Sequence, residues 1–311
     1  QARTQLTMAG LLYDEKEYEK AAEQYRIYLN AYADVADRIG FGKDKVLFQM
    51  SQCHQSRALE HRRQGEDEAS ERSLQRVTVL LDRILEEHPN TALLPDVYFS
   101  MGYVQQMQKD GRATRTFKKM VATYPDHPAA PSALLQLGRV DYEVGNYEEA
   151  QGVYRRLIAE YPESPLVNPA RLELALCLKN LERAEDAIEV FETIDDDWSE
   201  WSKIQAELAD LYVRSGKMAR AQVVLDRALG ATDDGALRAQ LLYVKSRIHF
   251  MANEYGEAVS GLSEAMSMPL RDDLQDGSLL FRGSSHYELA KFADARGDTA
   301  AARLEYEASI V

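Results

Sequence analysis

Small and apolar residues recur along the chain with one long period. Ala113, Ala150 and Ala187 stand 37 residues apart, and each is followed four positions later by an aromatic residue, Phe117, Tyr154 or Phe191. A step of four keeps the small residue and the ring on one face of a helix. The middle copy reads Leu134, Leu137-Gly138, Tyr142, Gly145, Tyr147, Ala150, Tyr154, Leu157 and Pro162. A period of roughly 34 to 37 residues with small residues at two fixed places predicts a hairpin of two helices stacked on copies of itself.

Aligned on the alanine of the second helix, the chain divides into about eight such pairs. The first carries Leu6, Ala9, Tyr13, Tyr18, Ala21, Tyr25 and Tyr28. The second, residues 43–90, is irregular: 43–63 and 66–87 both show helical apolar spacing, as at Leu74, Val77, Leu81 and Ile84, over helices longer than the rest. Residues 97–265 hold the most regular units, and a last pair follows with Tyr287, Ala290, Gly297, Ala302 and Tyr306. Two stretches break the rhythm and are expected as loops, 31–42 with its two glycines and 266–277 with Pro269 and a run of charges.

The small residues are expected where two helix backbones approach closely, and the ring is expected to fill the gap to the next unit. Gly145, Gly216 and Gly297 stand where the first helix of a pair must end, because glycine takes the left-handed turn at no steric cost. Pro89, Pro125 and Pro162 cannot continue a helix and separate one unit from the next.

These residues resemble the tetratricopeptide repeat family. Tyr161-Pro162-Glu163-Ser164-Pro165, echoed by Tyr124-Pro125-Asp126-His127-Pro128, is similar to a junction of bacterial cell-envelope members, among them the outer-membrane assembly lipoprotein and the Tol-Pal-associated coordinator of cell division. The resemblance is strongest over 97–265 and fades over 43–90. It implies an all-α, right-handed superhelix running as one solenoid over residues 1–311. It also implies a non-catalytic scaffold that binds protein segments through a concave groove or at its ends, as a subunit of a complex in the bacterial periplasm or envelope. The other readings are a cytoplasmic setting, and a helical arm of an enzyme or secretion machine whose active part lies outside this chain.

Charge narrows the partners. The chain holds 37 basic and 51 acidic residues, a net charge of −14, which disfavours nucleic acid because phosphates need a basic stripe. No run is long and apolar enough to span a membrane. Cys53 and Cys177 are expected to be free, with Cys177 a small core residue among leucines. No P-loop, nucleophile elbow or zinc-protease motif is present; no cofactor or metal is expected, and His54 and His61, seven apart on one helix, do not make a site. The chain opens at Gln1 without a methionine and ends in apolar Ile310-Val311, so it reads as an excerpt whose array continues or is covered by a partner.

In the family the exposed side of the first helices lines the groove. Carried over, those positions are Tyr13, Phe99, Tyr103, Leu135, Arg139, Tyr142, Lys179, Asn180, Arg214, Tyr243, Arg247, Phe250, Tyr287 and Lys291. Tyrosine and arginine are the types most enriched at binding hot spots, and the cations suit an acidic or C-terminal segment; the competing expectation is that they pair with nearby carboxylates such as Asp210. The lysine–asparagine clamp for chaperone tails is absent, since the key positions hold Leu135, Leu172, Ala206 and Tyr243. Asp195 to Trp201 is an unusual stretch: Ser199 is expected to cap a helix, and Trp198 and Trp201 either seal a junction or offer an aromatic anchor.

Overall fold

The computed structural model describes residues 1–32 and 40–310. Among the described residues the chain is sixteen helices with no strand, in eight consecutive pairs. The pairs are α1 (Ala2–Asp14) with α2 (Tyr18–Tyr32), α3 (Lys43–Arg63) with α4 (Asp67–Glu87), α5 (Leu94–Met107) with α6 (Arg112–Thr123), and α7 (Ala130–Glu143) with α8 (Tyr147–Glu160). There follow α9 (Val167–Asn180) with α10 (Ala184–Glu192), α11 (Trp201–Arg214) with α12 (Met218–Ala231), α13 (Gly235–Met251) with α14 (Tyr255–Met266), and α15 (Asp272–Ala295) with α16 (Thr299–Ala308). They form two compact units, Gln1–Ala170 and Arg171–Val311.

One turn closes every pair. The first helix ends in a residue with positive φ, and these are Lys16, Gly65, Lys109, Gly145, Glu182, Gly216, Asn253 and Gly297 in chain order. The next residue donates its N–H to the carbonyl five positions back, as from Asn146 to Asp141 and from Lys217 to Tyr212, both at 2.8 Å. That bond defines the Schellman cap, which satisfies carbonyls a helix end leaves open. The expected glycines at 145, 216 and 297 sit in it. Lys16, Lys109, Glu182 and Asn253 make the same turn without glycine, against a steric cost of about 1–2 kcal/mol for a residue with a Cβ.

Three of the second helices end at a proline. His88, Tyr124 and Tyr161 share one backbone geometry, φ near −132° and ψ near 57°, each followed by a proline that stops the helix. Tyr161 Oη also donates to the carbonyl of Pro125 at 2.6 Å, tying two successive junctions.

The repeated alanines are core: Ala9, Ala21, Ala113, Ala150, Ala187, Ala221 and Ala258 are all fully buried. The rings also pack within their own pair. Phe117 lies on Gly102, where an added Cβ would stand 2.7 Å from the ring. Tyr154 lies in the same way on Gly138, close enough that any Cβ there would collide with it. Glycine and ring are therefore two halves of one contact that sets how closely the helices of a pair approach. In the seventh pair the roles are exchanged, with Gly261 on the second helix facing Ser246 on the first.

The expected loop at 266–277 is a correction: α14 ends at Met266 and α15 begins at Asp272, leaving residues 267–271 as the connection. The small and polar residues that suggest a loop instead let α15 pack closely. A Cβ on Gly277 would stand 2.5 Å from Tyr243 Oη, and the buried Ser278 and Ser285 return their hydroxyls to Leu274 and Phe281 carbonyls at 2.7 Å. The loop expected at 31–42 falls mostly on residues 33–39, which lie outside the described residues. Cys53 and Cys177 are buried free thiols, and burial pushes both up to about 12.

Candidate binding site

The groove positions behave differently in the two units. In the first, Tyr103 on α5 and Arg139 on α7 line one recess of about 760 Å³, bounded also by Gln106, Met107, Glu143 and Val144. Both named residues are half-buried, while Val144 is 66% exposed. Arg62 of α3 reaches in and donates to the Met107 carbonyl at 3.0 Å. Asp110, at the rim, is committed to Arg112: it accepts from that residue's backbone N–H at 2.9 Å and pairs with its guanidinium, which holds its carboxyl below the usual range. The recess thus offers aromatic, aliphatic and guanidinium surface together.

Other positions in this unit do not join it. Tyr142 packs edge-on against Tyr147 across the turn, ring centroids 5.2 Å apart. Phe99 leans on Phe117 and Tyr13 on Tyr18. Leu135, expected on the groove surface, is buried in the core; the helix face it shares with Leu134 is wider than the repeat pattern suggests. Sequence reasoning missed Arg62, Met107 and Val144, which sit at helix ends where the alignment assigns no groove position.

In the second unit the groove cations are spent on carboxylates of the same surface. Lys179 pairs with Glu207, linking α9 to α11. Asp210 accepts from Arg214 at 2.7 Å and from Arg247 at 3.3 Å, linking α11 to α13. The Arg247 guanidinium also lies 5.8 Å from the ring centres of Tyr243 and Phe281, a favourable cation–π distance. Lys291 pairs with Glu288 at 2.9 Å and stands over Tyr287. Asn180 is exposed and donates to the Leu176 carbonyl at 2.9 Å. Phe250 packs against Tyr255 and Phe281. Here the competing expectation, pairing with Asp210 and its neighbours, describes the geometry.

The tryptophan stretch is corrected in part. Trp201 is 8% exposed, with the Arg227 guanidinium 4.6 Å from its ring centre, so it serves packing and presents no free anchor; Trp198 is half-buried. Ser199 does not cap the helix. Glu200 holds that position without a side-chain cap bond and pairs instead with Lys203 at 2.7 Å. Among the described residues no cluster of histidine, cysteine and carboxylates could hold a metal ion, and no helix is long and apolar enough to cross a membrane.

Against known proteins, residues 90–267 match the tetratricopeptide repeat-like domain, more than half of the chain. The chain belongs to the tetratricopeptide repeat family. No curated protein sequence matches it. Among solved structures, this repeat protein is similar to a tetratricopeptide repeat protein from Parabacteroides merdae, 17% identical over 90% of this chain and 98% of that one, with a TM-score of 0.53. It is likewise similar to the C-terminal part of a TPR repeat-containing protein from Cytophaga hutchinsonii, 11% identical over 88% and 98%, TM-score 0.61. PilF of Pseudomonas aeruginosa is 18% identical over 71% of this chain and 92% of its own, TM-score 0.51. At these identities the likeness is one of fold.

Proposed function

We propose that this tetratricopeptide repeat protein is a non-catalytic scaffold that seats a partner protein segment in the recess between α5 and α7. The observation that carries the reading is the convergence there of Tyr103 and Arg139 with the exposed Val144. An aromatic and a guanidinium around an apolar floor is the composition of a binding hot spot. The second unit contributes order along its helices rather than charge for capture, because its cations already answer Glu207, Asp210 and Glu288. A place in a bacterial envelope complex is supported by the Tyr-Pro junctions at 124–125 and 161–162.

A photo-crosslinking residue at Gln106 in the full-length protein, expressed in its native cell, tests this. The expected result is a discrete protein adduct that disappears with Arg139→Glu while the melting temperature is kept. An adduct obtained only from position 214, or one from 106 indifferent to Arg139→Glu, would place the partner elsewhere. Fractionation of the same cells tests the envelope setting: recovery in the cytosol alone would refute it.

A further inference from the structure

A second recess lies between α3 and α4, on the pair where the repeat pattern fades. Midway along α3, His54 is only 8% exposed. Among the described residues its ring has no hydrogen-bond partner, and the residue lines a space of about 410 Å³. A polar ring shielded from bulk water without a partner is a cost to the fold, and here it borders a recess. Met50, Leu80 and Val79 supply the apolar walls, and Arg72 and Arg76 stand at the rim.

The charge of the rim runs against that of the protein. Arg76 lies 3.8 Å from Glu19 of α2, a carboxylate also paired with Arg57. Arg72 lies 3.7 Å from Glu68, and Gln75 is bonded to Glu71. Three guanidiniums thus stand among Glu19, Glu68 and Glu71, while the recess itself is lined by two of them and by no carboxylate, in a chain of net charge −14. Val79 is 66% exposed, more apolar surface than a small anion could cover. A guanidinium rim with an unpartnered imidazole below it selects a carboxylate; the aliphatic wall selects what comes attached to it.

We propose that this recess binds an acidic side chain flanked by aliphatic ones on a partner protein, with Arg72 and Arg76 on the carboxylate, His54 hydrogen-bonding it and the aliphatic groups on Met50, Val79 and Leu80. None of these residues belongs to the recess between α5 and α7, so the two sites stand or fall separately.

The test follows the His54 ring signals of the full chain by NMR while three probes are added: acetyl-Leu-Glu-Leu-amide, its glutamine counterpart and hexanoate. The Glu peptide is expected to shift His54 and to saturate, with the glutamine peptide at least tenfold weaker. The Arg72→Gln/Arg76→Gln double variant should lose at least tenfold in affinity for the Glu peptide at an unchanged melting temperature. Should that variant melt early, Val79→Asp, at an exposed position, must give the same loss. Equal binding of the two peptides, no saturation, or binding unaffected by the variants would overturn the proposal. Hexanoate binding as tightly as the Glu peptide would overturn it too, by assigning the recess to a free small carboxylate.

Discussion

The fourth pair and the second pair solve the same packing problem with different chemistry. In α7 and α8, helices of 14 residues each, Tyr154 covers Gly138 and leaves no room between backbones. In α3 and α4, 21 residues each, the close approach is made by Ala58 and Ser70, whose hydroxyl donates to the Ala58 carbonyl at 2.9 Å. No phenylalanine, tyrosine or tryptophan is among the buried residues of this pair, and Ser51, His54 and Ser73 are buried in it instead. An aromatic on a glycine fills the space between two helices; small polar residues bring the helices together at one place and leave a cavity at another. Within a pair, the repeat's glycine and ring are therefore a record of filled space.

The comparison breaks first at the ring. Tyr154→Ala should cost about 3–5 kcal/mol, the range for emptying a buried aromatic site, read as a shift in the urea midpoint. A loss below about 1 kcal/mol would mean that the glycine contact does not organise the fourth pair.

Acid acts on the second pair. Burial, and then the charge of Arg76, push His54 down to about 4, against roughly 6.5 in an unfolded chain. Between those values the unfolded chain binds a proton that the folded one refuses. The contribution is therefore intact above pH ~6.5 and is lost as pH falls toward ~4, by on the order of 3 kcal/mol in full. Wild type and His54→Gln, unfolded in urea at pH 7.5 and 4.5, should differ by much of that amount; identical losses would show that the imidazole is not buried as described.

Filling the glycine side comes next. Gly138→Ala drives a Cβ into the Tyr154 ring and should cost about 1–3 kcal/mol, as overpacking does, whereas Ala58→Gly in the second pair involves no collision and loses backbone entropy and one buried methyl, at about 1–2 kcal/mol. If both substitutions cost the same in thermal melts, the two pairs do not differ as argued. The smallest effect should be shared. Gly65→Ala and Gly145→Ala each put a Cβ on a left-handed residue, φ 76° and 83°, at about 1 kcal/mol in either pair. Unequal costs would trace part of the difference to the turns.

How much of this is legible in the sequence varies by residue. Gly145, Gly216 and Gly297 announce their turns because glycine is the cheap occupant. Lys16, Lys109, Glu182 and Asn253 make the same turn silently, since a cost of about 1–2 kcal/mol is small beside the packing of a whole pair. The start of α15 is illegible for a related reason: Gly277 and Ser278 have loop composition, but Gly277 lies close against Tyr243 of α13 and Ser278 returns its hydroxyl to the Leu274 carbonyl. Of the candidate surface, Tyr103 and Arg139 are legible through their repeat positions. Arg62 and Val144 are not, because a helix-end side chain is placed by the neighbouring helix rather than by its own register.

The period of small and aromatic residues is a local property, written into helix faces and turn chemistry, and it suffices to specify helix pairs, their number and their all-helical class. It cannot say which of the charges it places on one surface will find each other. Lys179 with Glu207, and Arg247 with Asp210, meet only when separate helices are brought side by side, and His54 of α3 comes to line one recess with Arg72 and Arg76 of α4 only when those two helices pack. Pairing energies between groups far apart in the chain depend on distance and burial, which exist only once the helices are packed.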